Sequence, residues 1–73
     1  MDFKAIEEAL LNGERVFRNI ELWTVKKMTI NLIIGTQDIL NHENIEVTFN
    51  NNFTVVGYRF SEEDKNALDW EII

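Results

Sequence analysis

Asp69-Trp70-Glu71-Ile72-Ile73 closes the sequence, and this run says most about the architecture of the chain. Trp70 and Ile72 fall on one side of an extended segment and two carboxylates fall on the other. Such alternation is typical of a strand with one buried face. The sequence ends on two aliphatic residues without a polar tail, so we expect the last segment to be a paired strand of a compact fold.

A short helix is predicted immediately before this strand. Ser61-Glu62-Glu63-Asp64 resembles a capping box, with Asp in place of the usual Glu or Gln at the last position. Three acidic residues in a first turn also suit the positive end of a helix dipole. We therefore expect a helix that begins after Ser61 and runs through Leu68.

The other end of the chain predicts a longer, amphipathic helix over residues 2–12. Phe3, Ile6 and Leu10 recur at three- and four-residue spacing, which places them on one face. Gly13 is the expected stop, because a residue just past a helix often takes a left-handed conformation that glycine adopts without steric cost.

From residue 16 the apolar period changes to two, which indicates strands. Extended segments are predicted around Val16-Phe17, at Trp23 and Val25, and over Met28, Ile30 and Leu32. The apolar face changes parity at Lys26-Lys27, so a bulge or tight turn is expected there. Ile45, Val47 and Phe49 predict a half-buried strand.

Asn50-Asn51-Asn52 should turn the chain into a returning strand over residues 53–60, because Asn tolerates the positive φ of hairpin turns. A bulge could sit in that strand near Gly57. Residues 36–44 are ambiguous, and either one helical turn capped by Thr36 or a loop fits them. The resulting prediction is an α+β fold: the N-terminal helix packs on a four- or five-stranded, mainly antiparallel sheet, with a short helix before the last strand.

The length of the chain predicts a single domain over residues 1–73 and a need for extra burial. A core this small rarely supplies more than about 3–5 kcal/mol without disulfides, a metal or self-association. The chain has no Cys and a single His, His42, so the first two aids are not expected. We therefore expect a homo-oligomer.

The sequence also shows no membrane segment. Its longest apolar run, Leu32-Ile33-Ile34, is far below the ~20 residues of a spanning helix, and Asp2, Glu7 and Glu8 interrupt any signal-peptide pattern. We expect a cytoplasmic protein that does not bind membranes.

The net charge of −6 opposes direct nonspecific binding to nucleic acid. The charge is unevenly distributed, since residues 14–35 carry +2 and residues 61–73 carry −4. The acidic end could serve as a protein-binding surface, and its candidate residues are Glu62, Glu63 and Asp64. A solvated surface of mixed charge is the simpler interpretation.

No catalytic set is visible. Ser61 is the only serine and its local pattern makes it a helix cap, while His42 lies in a polar run without a second His or Cys at ligand spacing. The three glycines are isolated, so no phosphate loop is present. The sequence predicts no catalytic residue, no metal site and no cofactor, and hence a protein that is not an enzyme.

Binding remains as the expected activity. Trp23, Tyr58 and Trp70 could stack on the base of a ligand, although a core position for Trp70 and a core or interface position for Trp23 are the simpler interpretation. Basic side chains could bind phosphate groups of a ligand. Arg18 and Arg59 are of most interest, because each is flanked by apolar residues in a predicted strand and should project from a defined surface. The predicted ligand-binding residues are Arg18, Trp23, Lys26, Lys27 and Arg59.

Two segments resemble a widespread family of small phage proteins. Phe3-Lys4-Ala5-Ile6-Glu7-Glu8-Ala9-Leu10-Leu11-Asn12-Gly13-Glu14-Arg15-Val16, followed by Arg18, is similar to the family's opening, and residues 61–73 with Asp69-Trp70-Glu71 are similar to its close. The family includes Thoeris anti-defence proteins, oligomeric and non-enzymatic sponges that sequester cyclic ADP-ribose-type or related cyclic nucleotide signals. Family-matching positions are Arg18, Asp69, Trp70 and Glu71, and Trp70 is expected to anchor the last strand to the first helix.

The middle of the chain departs from the family pattern. A Trp-Asn-Gly-Lys-like segment usually follows the Arg, whereas this chain reads Asn19-Ile20-Glu21-Leu22-Trp23. The resemblance implies a phage accessory protein that counters bacterial immunity by sequestering a cyclic nucleotide. Two alternatives stay open: an acidic inhibitor of a host nucleic-acid-processing defence protein, and a phage structural or assembly component.

Overall fold

The computed structural model describes residues 1–50 and 52–73. Three helices and five strands are present in this part of the chain. In order they are α1 (Phe3–Leu11), β1 (Val16–Arg18), α2 (Glu21–Val25), β2 (Thr29–Leu32), β3 (Ile45–Phe49), β4 (Phe53–Val56), α3 (Glu62–Asn66) and β5 (Trp70–Ile72), with one 3-10 turn at His42–Asn44.

The strands form one antiparallel sheet in the order β4-β3-β2-β1-β5. Residues that lie opposite one another in register form an apolar row across one face of the sheet. From β4 to β5 this row comprises Val55, Val47, Ile30, Val16 and Ile72. The helix α1 covers this face over β1, β2 and β5. The predicted α+β architecture is confirmed.

The first helix is capped at both of its ends. The side chain of Asp2 accepts a hydrogen bond from the backbone N–H of Ala5 at 2.9 Å, which satisfies one of the free donors of the first turn. Gly13 follows the C-cap with φ of 81°, as predicted. Ile6, Ala9 and Leu10 are buried against the sheet.

An aromatic cluster completes the core. Trp70 is fully buried, and its ring lies 6.5 Å from Phe3 of α1, 6.0 Å from Phe60 and 5.4 Å from Trp23. Edge contacts of this kind add about 0.5–1.5 kcal/mol each beyond burial. Trp70 therefore anchors the last strand to the first helix, as expected.

The extended segment predicted at Trp23 and Val25 is wrong, because residues 21–25 form the helix α2. Five residues make little more than one turn, too few for a helical period to show in the sequence. Trp23 points into the core while Val25 is exposed, so the two do not share a face. The expected turn at Lys26-Lys27 is present, and Lys27 has a φ of 48°.

The returning strand is shorter than predicted. It ends at Val56. At Gly57, with φ of 118°, the N–H groups of Gly57 and Tyr58 both donate to Ile45 O, at 2.9 and 3.4 Å, so that two residues oppose one as in the expected bulge, and the chain then leaves the sheet. The departure carries the rings of Tyr58 and Phe60 over the covered face. In the turn before β4, Asn50 has the expected positive φ of 51°, and Asn51 lies outside the described residues.

Residues 36–44, for which the sequence allowed either a helical turn or a loop, form a loop that ends in the 3-10 turn. Asp38 Oδ1 accepts from the N–H of Leu40 and Asn41 Oδ1 accepts from that of Glu43, both at 3.0 Å. Such local bonds favour turns over helix. Ile39 is buried and fixes the loop to the core.

The helix α3 begins with the predicted capping box and ends at Asn66, two residues earlier than expected. No helix within residues 1–50 and 52–73 combines the length and the apolar character needed to cross a membrane.

Candidate functional site

A buried ion-pair cluster joins β1, α3 and the segment before β5. Arg18 is only 4% exposed. Its Nη1 donates to Asp64 Oδ1 at 2.9 Å, its Nη2 donates to Asp69 Oδ2 at 3.0 Å, and its Nε donates to the other carboxylate oxygen of Asp69. The fork geometry matches a guanidinium to a carboxylate, and Asp69 is bound through both of its oxygens.

This cluster shifts the acidity of its members. The hydrogen bond to Asp69 raises the pKa of Arg18 further above its ordinary value, against the opposing effect of burial. The same bond lowers the pKa of Asp69 below its ordinary value. Both groups therefore stay charged at neutral pH. Their ion pair links β1 to the residue that directly precedes β5.

Asp64 links the ion-pair cluster to the aromatic side chain of Tyr58. It accepts hydrogen bonds from Arg18 and from the hydroxyl of Tyr58, and its backbone carbonyl accepts from Trp70 Nε1 at 2.8 Å. Burial, followed by the bond to Asp64, raises the pKa of Tyr58 well above its ordinary value. Tyr58 is thus held neutral and in one orientation.

Three predicted site residues lie inside the molecule rather than on its surface. Arg18 was expected to project from a surface, and instead its donors meet Asp64 and Asp69. Asp64 was expected on an acidic surface, but it is 4% exposed. Trp23 packs edge-on against Tyr58 and Trp70, as the simpler interpretation of the sequence had it. A buried cation attracts buried carboxylates, and this pairing explains the first two positions.

A surface groove beside Tyr58 has a cavity volume of about 230 Å³. Its lining comprises two cationic and four apolar or aromatic side chains: Ile39, Leu40, Tyr58, Arg59, Phe60 and Lys65. Arg59 lies at the edge of the groove, with its Nη2 3.4 Å from Nε2 of His42. Tyr58 and Phe60 pack edge-on with ring centroids 5.4 Å apart, and these two rings form the aromatic wall of the groove.

This combination suits a small anion that carries an apolar or planar group. Arg59 offers a fork of N–H donors that matches phosphate oxygens, and Lys65 offers a compact second positive charge. Lys65 Nζ lies 3.8 Å from the carboxylate of Glu62, but both side chains reach solvent and the pair is weak. Leu40, 66% exposed, leaves apolar surface available at the edge.

The remaining predicted residues are dispersed. Lys26 lines a different, open hollow together with Glu21, Leu22 and Val25, and Lys27 is exposed in the turn that follows. Glu62 and Glu63 are exposed, with side chains 86% and 79% accessible. The structure therefore separates Lys26 from Arg59 instead of bringing them to one site.

Lys65, Ile39 and Leu40 were missed as candidate site residues. Lys65 lies in the most acidic part of the sequence, and Ile39 and Leu40 lie in the segment whose structure was ambiguous. Only the path of residues 57–60 across the sheet brings these positions together, and no local pattern encodes that path. Among residues 1–50 and 52–73, no group of three or more His, Cys, Asp or Glu side chains could hold a metal ion.

Comparison with known proteins supplies one match. The family model for the Thoeris anti-defense 2-like domain matches residues 1–73, including the middle segment in which the sequence resemblance was weakest. No curated protein and no solved structure matches the chain.

Proposed function

The chain belongs to the Thoeris anti-defense 2-like family, and from this premise we propose that it counters bacterial immunity by stoichiometric, non-enzymatic binding of a cyclic nucleotide signal. The family supports a phage anti-defence role. The observation that carries the proposed mechanism is the groove in which Arg59 and Lys65 stand beside the aromatic wall of Tyr58 and Phe60.

Charge and shape in the groove favour a phosphorylated ligand. The chain has a net charge of −6, so a phosphate needs a local cationic site to overcome repulsion from the rest of the surface. Arg59 and Lys65 supply two positive charges beside a concave apolar surface. Phosphate oxygens would accept from these cations while a base or ribose contacts Leu40 and the aromatic wall.

The groove is prepared for binding before the ligand arrives. Asp64 holds the Tyr58 hydroxyl, and Asp64 is itself fixed by Arg18 and by the N–H of Trp70. Ligand binding therefore does not have to order this wall, which reduces the entropic cost of association. We propose that Arg18 and Asp64 act in this way, as supports of the groove and not as ligand contacts.

The size of the groove limits what enters it. Its volume of about 230 Å³ is below the ~300 Å³ at which typical small-molecule pockets begin. We propose that one nucleotide unit of the signal occupies the groove and that the remainder lies over the exposed side of Arg59. The site of action is the cytoplasm of the infected bacterium, where such signals are made.

Calorimetric titration tests this function. The protein is titrated with cyclic ADP-ribose isomers and with cyclic dinucleotides, first as wild type and then as Arg59→Gln. We expect saturable binding of at least one ligand, and a loss of about tenfold or more in affinity for the variant, since a charge-assisted hydrogen bond contributes about 1.5–3 kcal/mol.

Arg15→Gln is the matched control, because it removes the same charge from an exposed position outside the groove. It should bind as the wild type does. Absence of heat with every ligand at high excess would refute the nucleotide proposal, and equal losses in Arg59→Gln and Arg15→Gln would refute the groove as the site.

A second candidate function rests on the exposure of Glu62 and Glu63. These carboxylates could cover a basic groove of a host nucleic-acid-processing defence protein. Reversal of both charges should abolish capture of such a protein, and capture by the wild type should weaken as the salt concentration rises. Glu7→Lys with Glu8→Lys on α1 is the control and should leave capture intact. Capture that is indifferent to the reversal and to salt counts against this function.

A further inference from the structure

His42 lies beside the groove, at the edge where Arg59 stands. Its Nε2 is 3.4 Å from Nη2 of Arg59. The ring is half-buried, and its Cδ2 lies 3.8 Å from the position that a Cβ on Gly57 would occupy, so the ring packs over this glycine. The backbone carbonyl of His42 accepts from the N–H of Ile45, which ties the residue to the start of β3.

The contact between the two side chains defines the protonation state of the imidazole. A guanidinium has only N–H donors, so the ring nitrogen that faces it must be the acceptor, and an accepting nitrogen carries no proton. His42 is therefore neutral in this arrangement, with its proton on Nδ1. Protonation of Nε2 would replace the hydrogen bond by two cations 3.4 Å apart, which is unfavourable unless an anion lies against both of them.

The neighbouring donors of this wall of the groove are already engaged. The hydroxyl of Tyr58 donates to Asp64, and the backbone N–H groups of Gly57 and Tyr58 both donate to Ile45 O. None of these three groups is free to donate to an anion that Arg59 binds. By contrast, Nε2 of His42 becomes a donor on protonation, and the ring then adds a positive charge as well.

Other charged groups around the ring act alike with and without a ligand. They are Lys65 across the groove and three carboxylates: Asp38 in the preceding loop, Glu43 on the 3-10 turn and Glu46 on β3. The strand β4, which packs against the turn, carries no charged residue. These groups set the starting point of the titration of the imidazole, and a bound anion favours the charged ring further.

We propose that His42 is a third ligand-binding residue of the groove and that it takes up a proton from solvent when a phosphate group binds to Arg59. The proton goes to Nε2, and the former acceptor then donates to a phosphate oxygen. The anion meets the positive charges of Arg59, Lys65 and His42 together. This inference rests on the proposed function. It predicts that anions bind more tightly as the pH falls from about 8 to 6, the range in which an imidazole becomes charged.

Proton NMR of the imidazole tests the proposal, because His42 is the only histidine in the chain. The titration of the ring is followed from about pH 8 to 5, once in sodium sulfate and once in sodium chloride of equal ionic strength. Sulfate serves as the probe because it stays a dianion over this range. The midpoint of the titration should be higher in sulfate by about half a pH unit or more, since an adjacent anion favours the charged ring.

Two variants control this measurement. In Arg59→Gln the sulfate and chloride curves should coincide, because the anion has lost the guanidinium that binds it. Arg15→Gln removes the same charge from an exposed position outside the groove and should keep the shift. Coincident curves in the wild type, or an equal shift in Arg59→Gln, overturn the proposal, and neither result depends on a nucleotide.

His42→Gln separates the proton from the contact, because the amide oxygen can accept from Arg59 as the neutral imidazole does but takes up no proton. The phosphodiesters of a cyclic dinucleotide keep their charge in this range. Wild-type affinity for it should rise about threefold or more from pH 8 to 6, and the affinity of His42→Gln should stay constant. A constant wild-type affinity, or an equal rise in the variant, overturns the proposal. Absence of nucleotide binding at every pH contradicts the proposed function alone, and the sulfate titration then decides the role of His42.

Discussion

Tyr58 connects the buried ion-pair cluster to the groove, because it lines the groove and is hydrogen-bonded to Asp64. Its hydroxyl donates to Asp64, whose other oxygen accepts from Arg18. Breaking a buried charge pair by removing one partner costs about 3–5 kcal/mol, which is comparable to the entire stability of a domain this small. The cluster therefore explains why a cation lies in the core of an acidic protein.

The ionisation of Tyr58 can be followed directly, because it is the only tyrosine in the chain. Its folded pKa is raised above the ordinary value of 10.0, first by burial and then by Asp64. The stabilising contribution is complete below the unfolded pKa and is lost as pH rises above about 10. Ultraviolet absorbance should show no tyrosinate in the native protein near pH 10, and ionisation only as the chain unfolds.

The urea-unfolded protein provides the reference for this titration and should ionise at the ordinary pKa. Simultaneous circular dichroism reports whether the chain is still folded. A native protein whose tyrosine ionises near pH 10 without any change in dichroism would contradict the buried hydrogen bond between Tyr58 and Asp64.

Among the elements, α3 depends most visibly on its first turn. Ser61 Oγ accepts from the N–H of Asp64 at 3.0 Å, and Asp64 Oδ2 accepts from the N–H of Ser61 at 3.1 Å. Ser61→Ala should lower the free energy of unfolding by about 1 kcal/mol, because it removes the cap. For a domain of this size the melting temperature should fall by about 4–8 °C.

Ser61→Thr keeps the capping oxygen and is the matched control for this variant. It should melt near the wild-type temperature. Equal melting temperatures for Ser61→Ala and the wild type in a calorimetric scan would show that the capping box does not stabilise α3.

The elements that the sequence predicted well are those whose signals are local. Asp2 and Gly13 delimit α1, and alternating Ile45, Val47 and Phe49 form β3. The helix α2 was missed because a helix of five residues has no readable period. The end of β4 was missed because the chain leaves the sheet after Val56 and packs the rings of Tyr58 and Phe60 against Trp23 and Trp70. These are contacts between distant parts of the sequence, which no local pattern predicts.

At the scale of the whole molecule, the candidate site depends on topology more than on any motif. Arg59 was predicted as a ligand residue and lines the groove, while Lys65 joins it from α3. Arg18 was recognised by its apolar surroundings, but these same surroundings made it a buried partner of Asp64 and Asp69. Residue type thus identified the unusual side chains, and only the folded arrangement puts Arg18 in the interior and Arg59 at the groove.

The central claim is that the protein holds its ligand without making or breaking a bond. The most direct measurement is to load the protein with a cyclic nucleotide, remove the unbound ligand, denature the complex by heat and determine the mass of the released compound. We predict recovery of the unaltered ligand in fixed proportion to the protein, regardless of how long the complex was incubated. A released compound of different mass, accumulating with time beyond the amount of protein present, would contradict the claim.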